Sequence, residues 1–265
     1  MTGTEGRWGV FVFGSPRSGT SALSWALAQH PDVWTSSETD FLLPLFGRGN
    51  LDRAYRSSCD RPDDGWLRKQ GVERAEFAAH LGRGVAALYA SRSEAPVWVD
   101  STPGYLLMAR ELAELLPDAR FLHLVRDGRA VVSSMLRSGF ASPWARSFTI
   151  ACTTWRHFIL KGMEAEEALG KRILRVPHAR LLVEPGAMLA EVLRFLGLPL
   201  HSGPAIFIAG SRINSSYDNE RSEDIRRVKD TASLREERWR SWSWLRRRSY
   251  KHICGDAHRR LGLAL

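Results

Sequence analysis

Residues 10–27 read VFVFGSPRSGTSALSWAL. An apolar run meets a turn of Gly, Ser, Pro and Arg, and a segment of helical period follows. A buried strand that passes through a glycine-bearing turn into a helix opens a parallel α/β unit, because the helix must pack back across its own strand. Gly14 and Gly19 keep the spacing of a nucleotide-binding P-loop, but Thr20 stands where that loop has its lysine, followed by Ser21. The P-loop lysine reaches the β- and γ-phosphates and the Ser/Thr hydroxyl holds Mg²⁺. Without the lysine, ATP or GTP hydrolysis is disfavoured. The remaining parts still form an anion site: backbone N–H groups at a helix N-terminus, the hydroxyls of Thr20 and Ser21, and an inserted cation, Arg17. The plain alternative is a tight strand-to-helix turn with no ligand.

The rest of the chain extends the pattern. Apolar runs at 97–100, 120–125 and 172–176 join the first at 8–13. Segments of helical period follow each of the four, at 18–29, 103–116, 128–138 and 185–196. This predicts an α/β fold, a P-loop-type parallel sheet flanked by helices. A further helix is predicted over 73–90. Residues 47–70 lack clear period and read as a long surface connection, part of a lid, and 211–233 read as a polar loop. One domain over 1–265 is expected, with 41–95 and 139–165 as a helical and loop cap for the substrate.

The net charge of +9 favours anionic partners. Only five of the 38 cationic residues are Lys, and Arg is the better residue for forked contacts to phosphate or sulfate. Three scattered cysteines, Cys59, Cys152 and Cys254, show neither metal spacing nor a disulfide framework, which fits a reducing compartment. The first strand leaves no room for a signal peptide, and no apolar run approaches the ~18 residues of a membrane span. A cytoplasmic protein without a metal is expected.

A second anion site is legible in FLHLVRDGRAVVSSML, residues 121–136. Arg126 falls at the carboxyl end of a strand, where open α/β sheets bind ligands, and Ser134 lies on the helix that follows. An Arg and a hydroxyl converging from strand and helix can hold a phosphate. Alternatively, Arg126 pairs with Asp127 or caps a helix, and Ser134 is a surface residue.

These stretches resemble the sulfotransferases that use 3′-phosphoadenosine 5′-phosphosulfate (PAPS). GSPRSGTS resembles their 5′-phosphosulfate loop, which carries Lys or Arg at the place of Arg17. The Arg126–x7–Ser134 spacing resembles the pair that binds the donor's 3′-phosphate, with Ser133 the near neighbour, and VRDGRAVVSSM is most like the tyrosylprotein sulfotransferases. LAQHPDV and RILRVPHARLLVEPGAMLAEVLRFLGLP are also similar to family segments. The second departs at His178, Ala179 and Arg180. His178 then takes the place of an aromatic near the adenine, or is a partly buried structural histidine. RINSSYDNE resembles a late loop over the nucleotide, with Ser216 its contact and Asn214 and Ser215 as rivals. The resemblance thus implies a donor site of Arg17, Ser18, Gly19, Thr20, Ser21, Arg126, Ser134, His178 and Ser216, with no metal.

For the base, WTSSETDF offers Glu38 and Asp40 after a short apolar pair, Val33 and Trp34, that fits a strand. By residue chemistry alone, Ser36 or Ser37 is equally a helix N-cap with Glu38 or Asp40 in an acidic first turn. The resemblance makes Glu38 the catalytic base with Arg17 assisting, because tyrosylprotein and heparan sulfate N-sulfotransferases place a catalytic Glu in a similar Glu-Thr stretch. Asp40 is the second choice. Ser101 stands where the family often has a lysine. His123, inside a strand, reads as a core histidine. The implied reaction is sulfuryl transfer to a hydroxyl, less readily an amine, of a small molecule, natural product or glycolipid. An Arg-rich, Lys-poor chain resembles proteins of high-GC bacteria. Phe41, Phe46, Trp66, Trp144 and Phe148 line an acceptor pocket or belong to the core.

Two other readings compete. One is a degenerate P-loop kinase or NTPase with Asp100 as its acid. The other is a non-enzymatic nucleic-acid or membrane binder built on REERWRSWSWLRRRSYK. In that segment Trp239, Trp242 and Leu245 recur every three residues and are expected to face the core, leaving Arg to solvent. On that pattern no nucleic-acid partner is expected.

Overall fold

In the computed structural model the described residues are 6–60, 65–138, 142–213, 225–227 and 238–263. The first half of the chain forms β1 (Trp8–Gly14), α1 (Thr20–Leu27), β2 (Val33–Thr35), α2 (Leu42–Phe46), α3 (Asn50–Cys59), α4 (Trp66–Lys69), α5 (Arg74–Ala90) and β3 (Val97–Asp100). A 3₁₀ turn (Pro103–Met108) leads into α6 (Ala109–Leu115), β4 (Arg120–Val125), α7 (Gly128–Leu136) and α8 (Phe148–Leu169). Then follow β5 (Ile173–Pro177), α9 (His178–Val183), α10 (Pro185–Leu196), α11 (Gly203–Gly210), the short strands β6 (Ser211–Ile213) and β7 (Ile225–Arg227), and α12 (Trp244–Arg260).

Alternation within β1 builds the two faces of the sheet. Val10 and Val12 join Val97, Val99, Leu122 and Leu124 against α1, α10 and α11. Phe11 and Phe13 join Trp98 and Phe121 on the other face, under α5, α6 and α8. Phe11 meets Trp98 edge-on at 5.4 Å, and Trp98 stacks on Tyr89 of α5 at 4.1 Å. Gly9 is required here, since a Cβ would lie 2.2 Å from the Trp98 ring. A third apolar cluster forms where α7, α8 and α12 meet, around Trp155, Trp242 and Tyr250.

The sheet is five-stranded, in the order β2-β3-β1-β4-β5, and every pairing is parallel. All five carboxyl ends therefore share one edge, and so do the loops that leave them. The expected α/β class is what forms, and Val33–Thr35 supplies its edge strand. Residues 47–70 depart from expectation: α3 and α4 form there. Few apolar side chains mark them, because α3 buries only Leu51 and Cys59. The segment 103–116 divides into the 3₁₀ turn and α6, and the polar stretch from 211 includes the β6–β7 pair. Within 148–165, one face of α8 packs into the core and buries Trp155 completely. All three cysteines are free and buried. No described helix is long and apolar enough to cross a membrane.

Candidate active site

The turn after β1 closes with the Ser18 amide donating to the Ser15 carbonyl at 3.0 Å. Pro16 takes the second position, and Arg17 the third with φ 68°. That is the pattern of a type II turn, whose third position ordinarily belongs to glycine. A non-glycine residue there costs about 1–3 kcal/mol and persists where the surroundings hold it. The Arg17 Nε donates to Ser134 Oγ of α7 at 3.4 Å, and the Arg17 carbonyl accepts from Arg126 Nη1 at 3.2 Å. Trp155 of α8 donates its indole N–H to the Arg126 carbonyl at 3.2 Å, pinning that backbone. Residues 117 apart in sequence thus meet through one guanidinium.

The loop is shaped by its two glycines. A Cβ at Gly14 would fall 2.5 Å from Ser18 Oγ and 2.9 Å from Thr20 Cγ2. Gly19 caps α1 at φ 103°, a conformation glycine adopts without steric cost. A Cβ there would lie 3.3 Å from His178 Cδ2, so the His178 ring rests against the loop. Burial, with Arg126 adding to it, holds His178 well below the ordinary histidine range, as a neutral ring. Thr20 is buried and Ser21 half-buried at the start of α1. Ser18 is 1% exposed and its hydroxyl has no hydrogen-bond partner among the described residues. A buried orphan hydroxyl inside a cradle of helix N-terminal amides is a feature that a bound oxyanion would satisfy. Ser101 and Ser133 also hold buried hydroxyls without partners among the described residues. Ser216, Asn214 and Ser215 lie outside the described residues.

Glu38 is half-buried on the irregular segment between β2 and α2. Both flanks of this segment are anchored. Thr35 Oγ1 donates to the Val99 carbonyl at 3.0 Å and meets Ser24 Oγ at 2.5 Å. Thr39 is fixed more firmly: its amide donates to Thr102 Oγ1 at 3.0 Å, and its hydroxyl donates to Asp100 Oδ2 at 2.7 Å. Tyr89 also donates to that oxygen at 2.6 Å, and the Thr102 amide donates to Oδ1 at 2.8 Å. Tyr105 lies 2.7 Å from Thr39 Oγ1 and accepts from the Leu42 amide at 3.1 Å. With Tyr105 donating to Thr39, the hydroxyl protons of Thr39, Tyr89 and Tyr105 all find acceptors around an ionised Asp100. Burial nevertheless pushes the Asp100 carboxyl up, against these hydrogen bonds, and raises Tyr105 to about 12.

Some expectations are corrected here and others hold. Neither Ser36 nor Ser37 caps a helix, because α2 begins only at Leu42. Asp100 is no acid at a nucleotide: both oxygens are committed inside the sheet edge, 2% exposed. Asp127 caps α7, accepting from the Arg129 amide at 2.8 Å, and its carboxylate pairs with the Arg129 guanidinium. Asp40 is exposed with φ 56°. His123 is a core residue, 0% exposed, with Nδ1 2.7 Å from Glu166. Burial works against the Glu166 charge, but His123 and Arg175 outweigh it and bring the carboxyl down to about 2. Leu245 does not face the core; it is 69% exposed, while Trp242 is buried and Trp239 partly so. Trp66 is 65% exposed, whereas Phe41, Phe46, Trp144 and Phe148 pack against the apolar clusters. Sequence reasoning missed Thr39, Tyr89 and Tyr105, whose only local sign is a polar tip on otherwise apolar positions.

Residues 9–202 match the family model described as the sulfotransferase family. The chain belongs to that family. It is 29% identical over 198 residues to a protein-tyrosine sulfotransferase of Drosophila melanogaster, covering 72% of this chain and 38% of the fly protein. It thus spans well under two thirds of that relative's length. Among solved structures, the sulfotransferase domain from the Synechococcus PCC 7002 olefin synthase aligns over 98% of this chain and 96% of its own, with 22% identity and a TM-score of 0.63. Mouse sulfotransferase SULT7A1 complexed with PAP aligns over 95% and 85%, with 15% identity and a TM-score of 0.55. These similarities place the five-stranded sheet within the sulfotransferase fold, and the loop after β1 lies inside the matched region.

Proposed function

We propose that this chain transfers the sulfuryl group of PAPS to a hydroxyl of a small-molecule acceptor, releasing PAP. The carrying observation is the convergence of Arg17, Ser134 and Arg126 across two strand ends and a helix. Two cations gathered at the carboxyl edge fit a donor with two separate phosphate groups. Thr20, Ser21 and the amides opening α1 take the 5′-phosphate, where the orphan Ser18 hydroxyl also lies. Arg126 and Ser134 take the 3′-phosphate, and neutral His178 lies beside the loop as the adenine contact. The donor supplies an activated S–O bond. Glu38 accepts the proton of the acceptor hydroxyl as its oxygen bonds to sulfur, and the bond from sulfur to the 5′-phosphate oxygen breaks. Arg17 stabilises the charge that grows on the sulfuryl oxygens and the departing phosphate. Ser101 stands at the position of the family's assisting lysine, so Arg17 carries the larger share.

An apolar acceptor suits the segment leaving Glu38. Leu45 of α2 is 57% exposed, and Leu107 on the neighbouring 3₁₀ turn is 40% exposed. The fly relative's name assigns protein tyrosine to that protein; the shared stretches here are donor motifs, which leave the acceptor free to differ.

Thermal unfolding with PAP, PAPS, AMP, ATP and GTP, with and without Mg²⁺, tests the donor site. Ligand binding to the folded state raises the midpoint. PAP and PAPS should raise it without Mg²⁺ and AMP should not. A rise confined to ATP with Mg²⁺ would overturn the proposal in favour of a nucleotide kinase.

A further inference from the structure

The Arg- and Trp-rich segment near the C-terminal end holds none of the residues proposed above for the donor site. Its first half turns inward: Trp242 is 8% exposed and meets Phe148 edge-on at 5.1 Å, and the Arg129 guanidinium lies 4.1 Å above Trp239. From Ser243 the chain changes face. The buried residues of α12 begin only at Tyr250. Every residue from 243 to 248 is exposed, Trp244 at 66% and Leu245 at 69%.

An aromatic and an aliphatic side chain thus stand in solvent amid exposed Arg246, Arg247, Arg248 and Lys251. The first turn of α12 holds no acid. Cations there oppose the positive end of the helix dipole, an arrangement that fold stability alone does not favour. Arg246, Arg248 and Lys251 form no ion pair among the described residues. Arg248 lies over the Trp244 ring at 5.4 Å and Arg246 over Phe148 at 5.7 Å, so guanidinium groups surround the apolar tips. Arg247 ties the turn down by donating to the Trp242 carbonyl at 3.0 Å. Ile150, two residues beyond Phe148, is also exposed.

We propose that the first turn of α12 docks this protein on an anionic phospholipid bilayer. Trp244 and Leu245 enter the boundary between headgroups and acyl chains, and Arg246, Arg248 and Lys251 meet the lipid phosphates. A soluble anion or nucleic acid would answer the charges but leave Leu245 in water. A bilayer surface answers both, with an apolar interior beneath an anionic layer. Binding is peripheral and independent of the donor site.

The test is co-sedimentation of the full chain with vesicles of phosphatidylcholine alone and of phosphatidylcholine containing phosphatidylglycerol, at low and high salt. The chain should bind only the anionic vesicles and come off at high salt. Trp244→Ser with Leu245→Ser keeps every cation and should lower partitioning by about tenfold. Arg246→Gln with Arg248→Gln should do the same by removing charge. All four positions are exposed, so an unchanged unfolding midpoint verifies that each variant is folded. Failure of the wild-type chain to bind anionic vesicles would overturn the proposal. So would equal binding by the Trp244→Ser, Leu245→Ser variant, which would reduce the effect to net charge. Binding of duplex DNA that displaces the vesicles and depends on Trp244 would assign the surface to nucleic acid instead.

Discussion

Replacing Thr39 by Val removes one hydroxyl and keeps the shape of the side chain. That hydroxyl lies 2.7 Å from Asp100, 2.7 Å from Tyr105 and 2.9 Å from Tyr89. In the variant the Tyr105 hydroxyl loses its acceptor, and Asp100 loses one donor while keeping Tyr89 and Thr102. A buried polar group left short of a partner costs about 1–3 kcal/mol, and two are affected here, one of them charged and still partly satisfied. A net loss of about 2–3 kcal/mol follows, which for a chain of this size lowers the unfolding midpoint by roughly 5–10 °C. Thr39→Ser restores the hydroxyl and should recover most of that loss. Glu38 is adjacent, so the same change loosens the proposed base. A misplacement of ~1 Å costs on the order of a hundredfold in turnover. The PAP-induced rise in midpoint should stay intact, because the cluster gathers beyond β2 and β3 whereas Arg17 and Arg126 follow β1 and β4 and are joined to each other. Circular dichroism melts of the three proteins, with and without PAP, read all of this. A Thr39→Val midpoint within about 1 °C of wild type, or a Thr39→Ser protein as damaged as Thr39→Val, would refute the reasoning.

Arg17→Gly should leave the unfolding midpoint unchanged or slightly higher, since glycine accepts the positive φ, while the PAP-induced rise is lost; melts with and without PAP separate the two effects. His178→Gln should flatten the pH dependence of stability. The folded-state pKa of His178 is depressed, so the stability it contributes is present above the unfolded value of about 6.5 and lost as pH falls below it, a slope that pH-dependent denaturant melts detect. Glu38→Gln should lower turnover of PAPS with a competent acceptor by about a hundredfold or more while PAP still raises the midpoint, and near-normal turnover would remove Glu38 as the base.

Much of the fold was legible because it rests on local signals. The β1 alternation, the glycine spacing and the Pro185-to-Gly197 bounds of α10 need only their own stretch of chain. The helices α3 and α4 were not legible, since their few apolar residues are buried by packing on neighbouring helices rather than marked by period. Leu245 shows the opposite error: it sits in register with Trp242, but a new helix starts between them and turns it outward. Arg17 and Ser134, two of the proposed donor residues, stand in separate motifs, and neither motif contains the contact that joins them.

The sequence by itself determined the parallel α/β class, the strand-to-loop-to-helix order around Gly14 and Gly19 and the types of residue at the proposed anion site, because glycine spacing and strand-to-helix order are local properties. Only the tertiary structure decided that Arg126 grips the Arg17 carbonyl and that Asp100 serves the sheet edge rather than a ligand. It also decided that Thr39 anchors the backbone beside Glu38. Those outcomes depend on which strands lie side by side. In a sheet ordered β2-β3-β1-β4-β5, residues far apart in the chain share one edge, and no local pattern encodes their distance.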